Sequence, residues 1–148
     1  MNESHEFKQR ELIRKLNADI VFLQEVRGVH KRHSQATLGT QYEFLADSIW
    51  PNYAYGKNAI VSSGHHGNAI LSKYPIVRWE NEDVSAHPAE QRGLLHCEIE
   101  VPGWHQHLHC ICVHFGLLSL WRRKQLNALS ARINSIVAKD APLIIAGD

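Results

Sequence analysis

Cysteine and long apolar runs are both scarce in this chain of 148 residues. The three cysteines are an odd number, and Cys110 and Cys112 lie two apart in a predicted strand, where they point the same way and cannot bridge without strain. No disulfide framework is predicted, which favours a reducing compartment. No run reaches the length of a membrane span and the N-terminal stretch has no apolar signal core, so we expect a soluble cytoplasmic protein unless a preceding segment carried a signal.

An excess of one charge is also missing. The formal net charge is +1 with histidine neutral. This balance argues against a protein that grips nucleic acid through a large basic face, although a local basic patch remains compatible with it. Hydrophobic residues make up 44% of the chain, which is enough to fill a core, and the length favours a single domain.

The hydrophobic pattern predicts interleaved helices and strands, which is an α/β fold. Polar residues with glycine over 27–41 predict a loop, and no repeat or low-complexity linker interrupts the chain. Helices are predicted over 4–16 and 42–49, and through Leu126, Leu129, Ile133 and Ile136 up to Ala141-Pro142; strands are predicted over 20–23, 67–72, 76–83, 92–101, 104–113 and 143–146.

Three of the predicted buried strands end in an acid or a histidine. Glu25 closes the first, His114 follows another, and Asp148 follows the last. Ligand sites in α/β folds gather where strands end, and a carboxylate placed there is unfavourable unless a cation or hydrogen bonds compensate it. Two carboxylates and an imidazole at one rim would suit a hard divalent cation such as Mg²⁺, which prefers oxygen ligands and keeps several waters.

A different metal site is open as an alternative. His105, His107 and His109 would fall on one face of a strand over 104–113, because their spacing is two. Three imidazoles on one face could hold zinc or copper in a metal-binding protein without hydrolytic activity. The same pattern is also typical of a solvated polar face of an antiparallel sheet.

Several segments, in order along the chain, resemble motifs of the endonuclease/exonuclease/phosphatase superfamily, a deoxyribonuclease-like group. Residues 18–26 (ADIVFLQEV) resemble its segment that ends in a metal-binding glutamate, and residues 67–76 (GNAILSKYPI) look like a strand and turn of that group. The variant His65-His66-Gly67-Asn68 most resembles that of an uncharacterised bacterial branch of the superfamily. Further similarities are Arg92-Gly93, His114 with Gly116, Arg123 with Gln125 and Leu126, and residues 143–148 (LIIAGD).

This resemblance implies a fold and an activity. The expected fold is the N-terminal half of a four-layered α/β sandwich, in which two mixed β-sheets are flanked by helices. The expected activity is that of a metal-dependent phosphoester hydrolase, a phosphodiesterase or nuclease-like enzyme. It would use Mg²⁺ or Mn²⁺ and in-line attack of water on phosphate.

The resemblance also assigns roles to particular residues. Glu25 would be the metal ligand, His114 and Asp148 would be catalytic, and Asn68 and Arg92 would bind substrate. The family's first strand and its C-terminal half have no counterpart in residues 1–148. The chain is therefore expected to be an incomplete domain, truncated at both ends and inactive by itself.

The substrate is left open by the sequence. Basic residues follow both Glu25 and His114, and they could meet the phosphates of nucleic acid, a phospholipid headgroup or a small phosphoester. A solvated loop and a solvated helix start are the simpler explanation of the same residues. No stable protein partner is implied. The residues concerned are Arg27, Lys31 and Arg32 in one group, and Arg122, Arg123 and Lys124 in the other.

Overall fold

A computed structural model of the protein describes residues 3–28, 49–61 and 64–148. Residues 42–48 of the predicted helix over 42–49 and residues 29–41 of the predicted loop over 27–41 lie outside the described residues. No helix within the described ranges is long and apolar enough to cross a membrane. The elements are α1 (Glu3–Leu16), β1 (Ile20–Gly28), β2 (Asn52–Val61), β3 (Gly64–Ser72), β4 (Ile76–Asp83), β5 (Gly93–Ile99), β6 (Leu108–Val113), α2 (Ser119–Ile136) and β7 (Leu143–Gly147).

The strands form two sheets. The first sheet has the order β1-β3-β2 and is antiparallel throughout, while the second has the order β4-β5-β6-β7. In the second sheet only β6 and β7 run parallel, and α2 makes the crossover between them. The predicted two-sheet α/β sandwich is thus confirmed, with the difference that only the second sheet is mixed among the described strands.

Apolar side chains divide the molecule into four layers. The inter-sheet core contains Ile70 of β3 with Leu95 and Cys97 of β5. Leu94, on the opposite face of β5, packs with Leu129 of α2, because successive side chains of a strand point to opposite faces. On the far side, Ile13 of α1 packs against a cluster formed by Trp50 and Leu71. The order is therefore helix, sheet, sheet, helix.

The three cysteines lie in the inter-sheet core. All three are buried and free, as expected from the absence of a disulfide framework. Burial raises the pKa of Cys110 and of Cys112 to about 12. Burial likewise raises the pKa of the Cys97 thiol, with the neighbouring Cys110 and Cys112 contributing less. The thiols therefore behave as small apolar groups that fill the core.

The strand bounds shift at β1, which continues to Gly28 and not to 23, and at β3, which begins at Gly64 and not at 67. Two further strands differ from the sequence prediction in physically instructive ways. β2 was not predicted, because Gly56, Lys57 and Asn58 interrupt its apolar alternation, yet pairing with β3 imposes extended structure from Asn52 to Val61. β6 begins at Leu108 and not at 104. Both differences arise from hydrogen bonding to a neighbouring strand, which is not visible in local sequence.

The late start of β6 removes the strand spacing on which the alternative three-histidine metal site was predicted. His105 and His107 precede the strand and are exposed, whereas His109 lies within it and is buried. The Nδ1 atom of His109 lies 2.8 Å from Nε2 of His96, so this ring is already engaged. Among the described residues, no group of three or more histidines, cysteines or acids is placed to hold a metal ion. The prediction that the three imidazoles share one face of a strand is wrong, although all three border one pocket beside Glu98.

A directed hydrogen-bond chain ties α2 to the second sheet. Arg132 donates from Nε to Nδ1 of His96, at 2.9 Å. An arginine can only donate, so Nδ1 of His96 accepts and its proton must sit on Nε2, which then donates to Nδ1 of His109. Nε2 of His109 in turn lies 3.6 Å from a carboxylate oxygen of Glu98. Both imidazoles are therefore held neutral under the helix.

The surroundings of His96 and His109 favour the neutral form of both rings. Burial, followed by the positive charge of Arg132 and by His109, lowers the pKa of His96 to about 4. Burial also lowers the pKa of His109, against the opposing effect of Glu98. The charged or titratable groups around the two rings are Arg78, Glu80 and Glu82 of β4, Glu98 of β5, His107 before β6 and Arg132 of α2.

We predict that acid destabilises the protein through His96. Between about pH 6.5 and pH 4 the unfolded chain binds a proton at this residue that the folded chain does not, so the free energy of unfolding falls as pH falls. The slope from one such group approaches about 1.4 kcal/mol per pH unit. Urea unfolding at several pH values should show a shallower pH dependence for His96→Gln. The control is His105→Gln, because His105 is exposed. Equal slopes for wild type and His96→Gln would contradict the prediction.

Candidate active site

A narrow cleft opens between the two sheets at one end of the sandwich. Its volume is about 60 Å³. Four of the five site residues predicted from sequence lie in its wall, contributed by β1, β3 and the segments that flank β5 and β6. The lining residues are Glu25, Asn58, His66, Gly67, Asn68, Gln91, Arg92 and His114.

Glu25 enters the cleft through an irregularity of β1. The register between β1 and β3 shifts between Leu23 and Val26, and Glu25 has a φ of 53°, in the left-handed region. A bulge of this kind re-aims a side chain, and the left-handed conformation costs about 1–2 kcal/mol for a residue that is not glycine. The carboxylate is 72% exposed and its Oε1 lies 3.7 Å from Nδ1 of His114. Backbone strain is thus located at the predicted metal ligand.

His114 is fixed through the strand that precedes it. Gln24 Nε2 donates to the carbonyl of Val113, directly before His114. Cys112 Sγ donates to the carbonyl of Leu23, at 3.5 Å. These two contacts join β1 and β6 across the sandwich, and they hold Glu25 and His114 at the same rim.

Asn68 links the sheets at the floor of the cleft. It is 1% exposed, and its Nδ2 donates to the carbonyl of Gly93 at 3.1 Å and to that of Cys112 at 3.2 Å. Both protons of the amide nitrogen are used in this way, which leaves the oxygen as the group available to other partners. The predicted contact of Asn68 with substrate stays a prediction.

Arg92 borders the cleft from the opposite sheet. Its Nε donates to the carbonyl of Phe115 at 3.3 Å, and its Nη1 donates to that of Gln91 at 3.2 Å. Glu90 lies nearby, with 3.9 Å between its Oε1 and Nε of Arg92. The guanidinium is therefore held beside the residue that follows His114.

Asp148 reaches the same end of the sandwich through β7. Its carbonyl accepts a hydrogen bond from the backbone N–H of Phe115, at 2.8 Å. Close approach at this point requires glycine before it, since a Cβ on Gly147 would lie 2.0 Å from the carbonyl oxygen of Val113. The Asp148 backbone is thus adjacent to His114, although Asp148 is not among the described residues that line the cleft.

The loop after His114 is held by side chains of α2 and by Glu90. The fully buried Gln125 accepts a hydrogen bond from Gly116 N–H at 2.8 Å, and Arg122 donates to the carbonyls of Gly116 and Leu117. Glu90 accepts from the N–H of Leu117. Arg122 is therefore engaged with the backbone, while Arg123 and Lys124 are exposed.

Asn58, His66 and Gln91 complete the cleft but were missed by sequence reasoning. His66 and Asn68 are two apart in β3 and so share a face, a signal that the predicted start of this strand at Gly67 concealed. Asn58 belongs to β2, which was not predicted. Gln91 precedes Arg92 in a connection without an informative pattern.

The residues present suit a magnesium-type ion. Mg²⁺ is commonly bound through one or two carboxylates, several waters and substrate phosphate, and Glu25 offers one well-exposed carboxylate at the cleft. A closed zinc site needs four protein ligands, and the described residues offer no such group. The donor set therefore fits a hydrated hard cation held by Glu25.

The chain is similar in sequence to one known protein family and to bacterial relatives. A sequence model of the Endonuclease/Exonuclease/phosphatase family matches residues 9–148. The uncharacterized protein YbhP of Escherichia coli strain K12 is 45% identical over 143 residues, covering 94% of this chain and 56% of its own length. The match to YbhP of Shigella flexneri has the same values. The chain thus spans little more than half the length of these curated relatives.

Solved structures of low sequence identity share the fold. The human Nocturnin catalytic domain with bound sulfate has a TM-score of 0.72 at 18% identity, over 99% of this chain and 56% of that one. The D. rerio TDP2 complex with single-strand DNA product has a TM-score of 0.68 at 21% identity, over 97% and 52%. A mannosyl-6-phosphatase of Bacteroides thetaiotaomicron has a TM-score of 0.68 at 15% identity, over 97% and 55%.

We predict that glycine at position 25 gives a more stable protein than alanine, which is the reverse of the usual order within strands. Glu25→Gly relieves the left-handed backbone while Glu25→Ala keeps it, so the glycine variant should be more stable by about 1 kcal/mol. Denaturant unfolding of both variants measures the difference.

The control is the same pair of substitutions at Trp79, an exposed residue of β4 in regular register with Cys97. There glycine should be the less stable of the two, as is usual within strands. If alanine is also the more stable residue at position 25, the strain assigned to Glu25 is absent.

Proposed function

Because the chain belongs to the endonuclease/exonuclease/phosphatase family, we propose that its cleft is the site of a metal-dependent phosphoester hydrolase. One observation carries the proposal: the carboxylate of Glu25 and the imidazole of His114 lie 3.7 Å apart at the rim between the sheets. The strained backbone at Glu25 adds support, because strain of this kind clusters at functional sites.

We propose further that residues 1–148 supply an incomplete domain of this type. The curated relatives are considerably longer, with only 56% of their length matched. β7 is the outer strand of the second sheet as described, and Ile144 and Ile145 on it are 44% and 43% exposed. Apolar side chains on an open edge are typical of a surface that another strand or helix covers. The full-length protein is therefore the material for assays of activity.

The proposed mechanism is in-line attack of water on a phosphorus centre. Bound Mg²⁺ or Mn²⁺, held by Glu25, would supply neutralisation of charge on the phosphate and leaving oxygens. His114 would donate a hydrogen bond to a non-bridging oxygen, where negative charge grows in the transition state. Asp148 would position the attacking water, and Arg92 and Asn68 would shape the phosphate pocket.

The class of phosphoester is a separate question. The fold is shared by a protein crystallised with a single-strand DNA product and by a mannosyl-6-phosphatase, so it does not select a substrate. The near-neutral net charge and the engagement of Arg122 with the backbone favour a substrate other than a long nucleic acid held processively. Magnesium-dependent assays on plasmid DNA, abasic DNA, sphingomyelin, phosphoinositides and a chromogenic diester would decide between nucleic acid, phospholipid headgroup and small phosphoester.

We predict that Glu25→Gln removes most of the magnesium-dependent hydrolysis by the full-length protein. Loss of the charge takes away a ligand for a hard cation, so the Mg²⁺ concentration needed for activity should also rise. The measurement is a rate titration with Mg²⁺ against a chromogenic diester. The matched control is Glu100→Gln, because Glu100 is exposed and does not line the cleft. Full activity in excess chelator, or an unaffected Glu25→Gln protein, would count against the proposal.

We predict that His114→Ala lowers kcat by roughly a hundredfold or more and changes KM far less. A donor directed at charge that develops in the transition state acts mainly on turnover. Steady-state kinetics of the full-length protein measure both constants, with His105→Ala as the exposed control. A change confined to KM would make His114 a binding residue and not a catalytic one.

A further inference from the structure

We propose that Asn58 contacts the substrate by donating a hydrogen bond from Nδ2 to a phosphoryl oxygen, and that Asn81 is a positioning residue for this donor. The inference rests on the proposed function of the cleft. It adds a neutral donor to the phosphate pocket, supplied by a strand that carries none of the residues predicted from sequence.

The packing of Asn58 places its amide between the sheets. Asn58 lies at the register shift of β2 against β3, between Lys57 and Ala59, and its side chain lines the cleft. The amide rests directly on Gly93 of the opposite sheet, where an added Cβ would come within 1.8 Å of Asn58 Oδ1. Absence of a side chain at Gly93 therefore makes room for the Asn58 amide.

Asn81 determines which end of the Asn58 amide is available. Asn81 Nδ2 donates to the backbone carbonyl of Lys57 at 3.3 Å and to Oδ1 of Asn58 at 3.2 Å. A carbonyl oxygen can only accept, so Asn81 must present its NH₂ group on this side. Asn58 must then present its oxygen to Asn81, since two NH₂ groups would not bond.

The opposite end of the Asn81 amide is fixed by packing and not by hydrogen bonds. Its Oδ1 is packed against Gly56, where a Cβ would lie 2.2 Å away. This buried oxygen has no hydrogen-bond partner among the described residues. The orientation is therefore set by the two donated bonds, and the Asn81 amide is held in place by close packing.

The remaining group of Asn58 is its NH₂ end. No described residue accepts a hydrogen bond from Nδ2 of Asn58, and this residue shares the cleft with Glu25 and His114. A donor in such a cleft suits an anionic oxygen, which a metal-bound phosphoryl group would present. The amide of Asn68, by contrast, donates both of its protons to backbone carbonyls. Asn58 therefore offers the amide donor that Asn68 does not.

The experiment uses the full-length protein and inorganic phosphate as a competitive inhibitor of chromogenic diester hydrolysis with Mg²⁺. Asn58→Ala should raise the Ki for phosphate about tenfold, as expected for the loss of one hydrogen bond to a charged group. Asn58→Asp should raise it further, because a carboxylate replaces the donor. Asn127→Ala, on the exposed face of α2, is the control.

A double-mutant cycle tests the positioning role. Asn81→Asp offers acceptors to the Asn58 amide, which should turn its NH₂ away from the cleft and raise the Ki about tenfold. In the Asn58→Ala background the same substitution should add nothing, since its effect acts through Asn58. Asn81→Ala provides a second cycle if the aspartate variant unfolds, as monitored by thermal unfolding.

Each result decides something. An unchanged Ki in Asn58→Ala, in a protein that phosphate inhibits, overturns the role of Asn58 and leaves the proposed hydrolase intact. Additive effects of Asn58→Ala and Asn81→Asp overturn the positioning role of Asn81. A wild-type protein that neither hydrolyses the diester nor binds phosphate overturns the inference and the proposed function together.

Discussion

The two hydrogen bonds donated by the buried amide of Asn68 are the constraint on which the rest of the structure depends. They connect β3 of the first sheet to Gly93 at the start of β5 and to Cys112 near the end of β6. A buried amide is unfavourable unless its polar atoms are paired, so the two sheets must meet at this point with a fixed spacing. Arg92 directly precedes the first acceptor, Gly93, and His114 follows the second, Cys112, by two residues, so the same contact helps to place both.

Glu25 approaches His114 because the regular pairing of β1 with β3 is interrupted at this point. The bulge between Leu23 and Val26 releases Glu25 from the alternation that would otherwise orient it along the sheet. Packing of β1 against β3, and the bonds from Gln24 and Cys112 across the sandwich, offset the unfavourable backbone conformation. Stability supplied by the surrounding strands thus sustains a local geometry that the chain would not adopt alone.

Features governed by local pattern were accessible from the sequence. The helix α1 and the strand β7 follow from spacing alone, and the ends of apolar strands pointed to Glu25 and His114. The strand β2 was not accessible, since its polar centre becomes extended only by pairing with β3. The contact of His96 with His109 and the approach of Asn58 to Gly93 also depend on tertiary packing. The missing information in each case is which strand lies opposite, a long-range property that no single segment contains.

The burial of Cys97, Cys110 and Cys112 has a practical consequence for following motions of the sandwich. Alkylating reagents attack the thiolate, and these three groups are both inaccessible and held protonated while the sheets remain closed. Modification must therefore wait for an opening that separates the first sheet from the second. The rate of thiol labelling, measured over hours at constant pH, therefore reports the free energy of that separation. The native cysteines suffice for this measurement, so no labelling site has to be engineered.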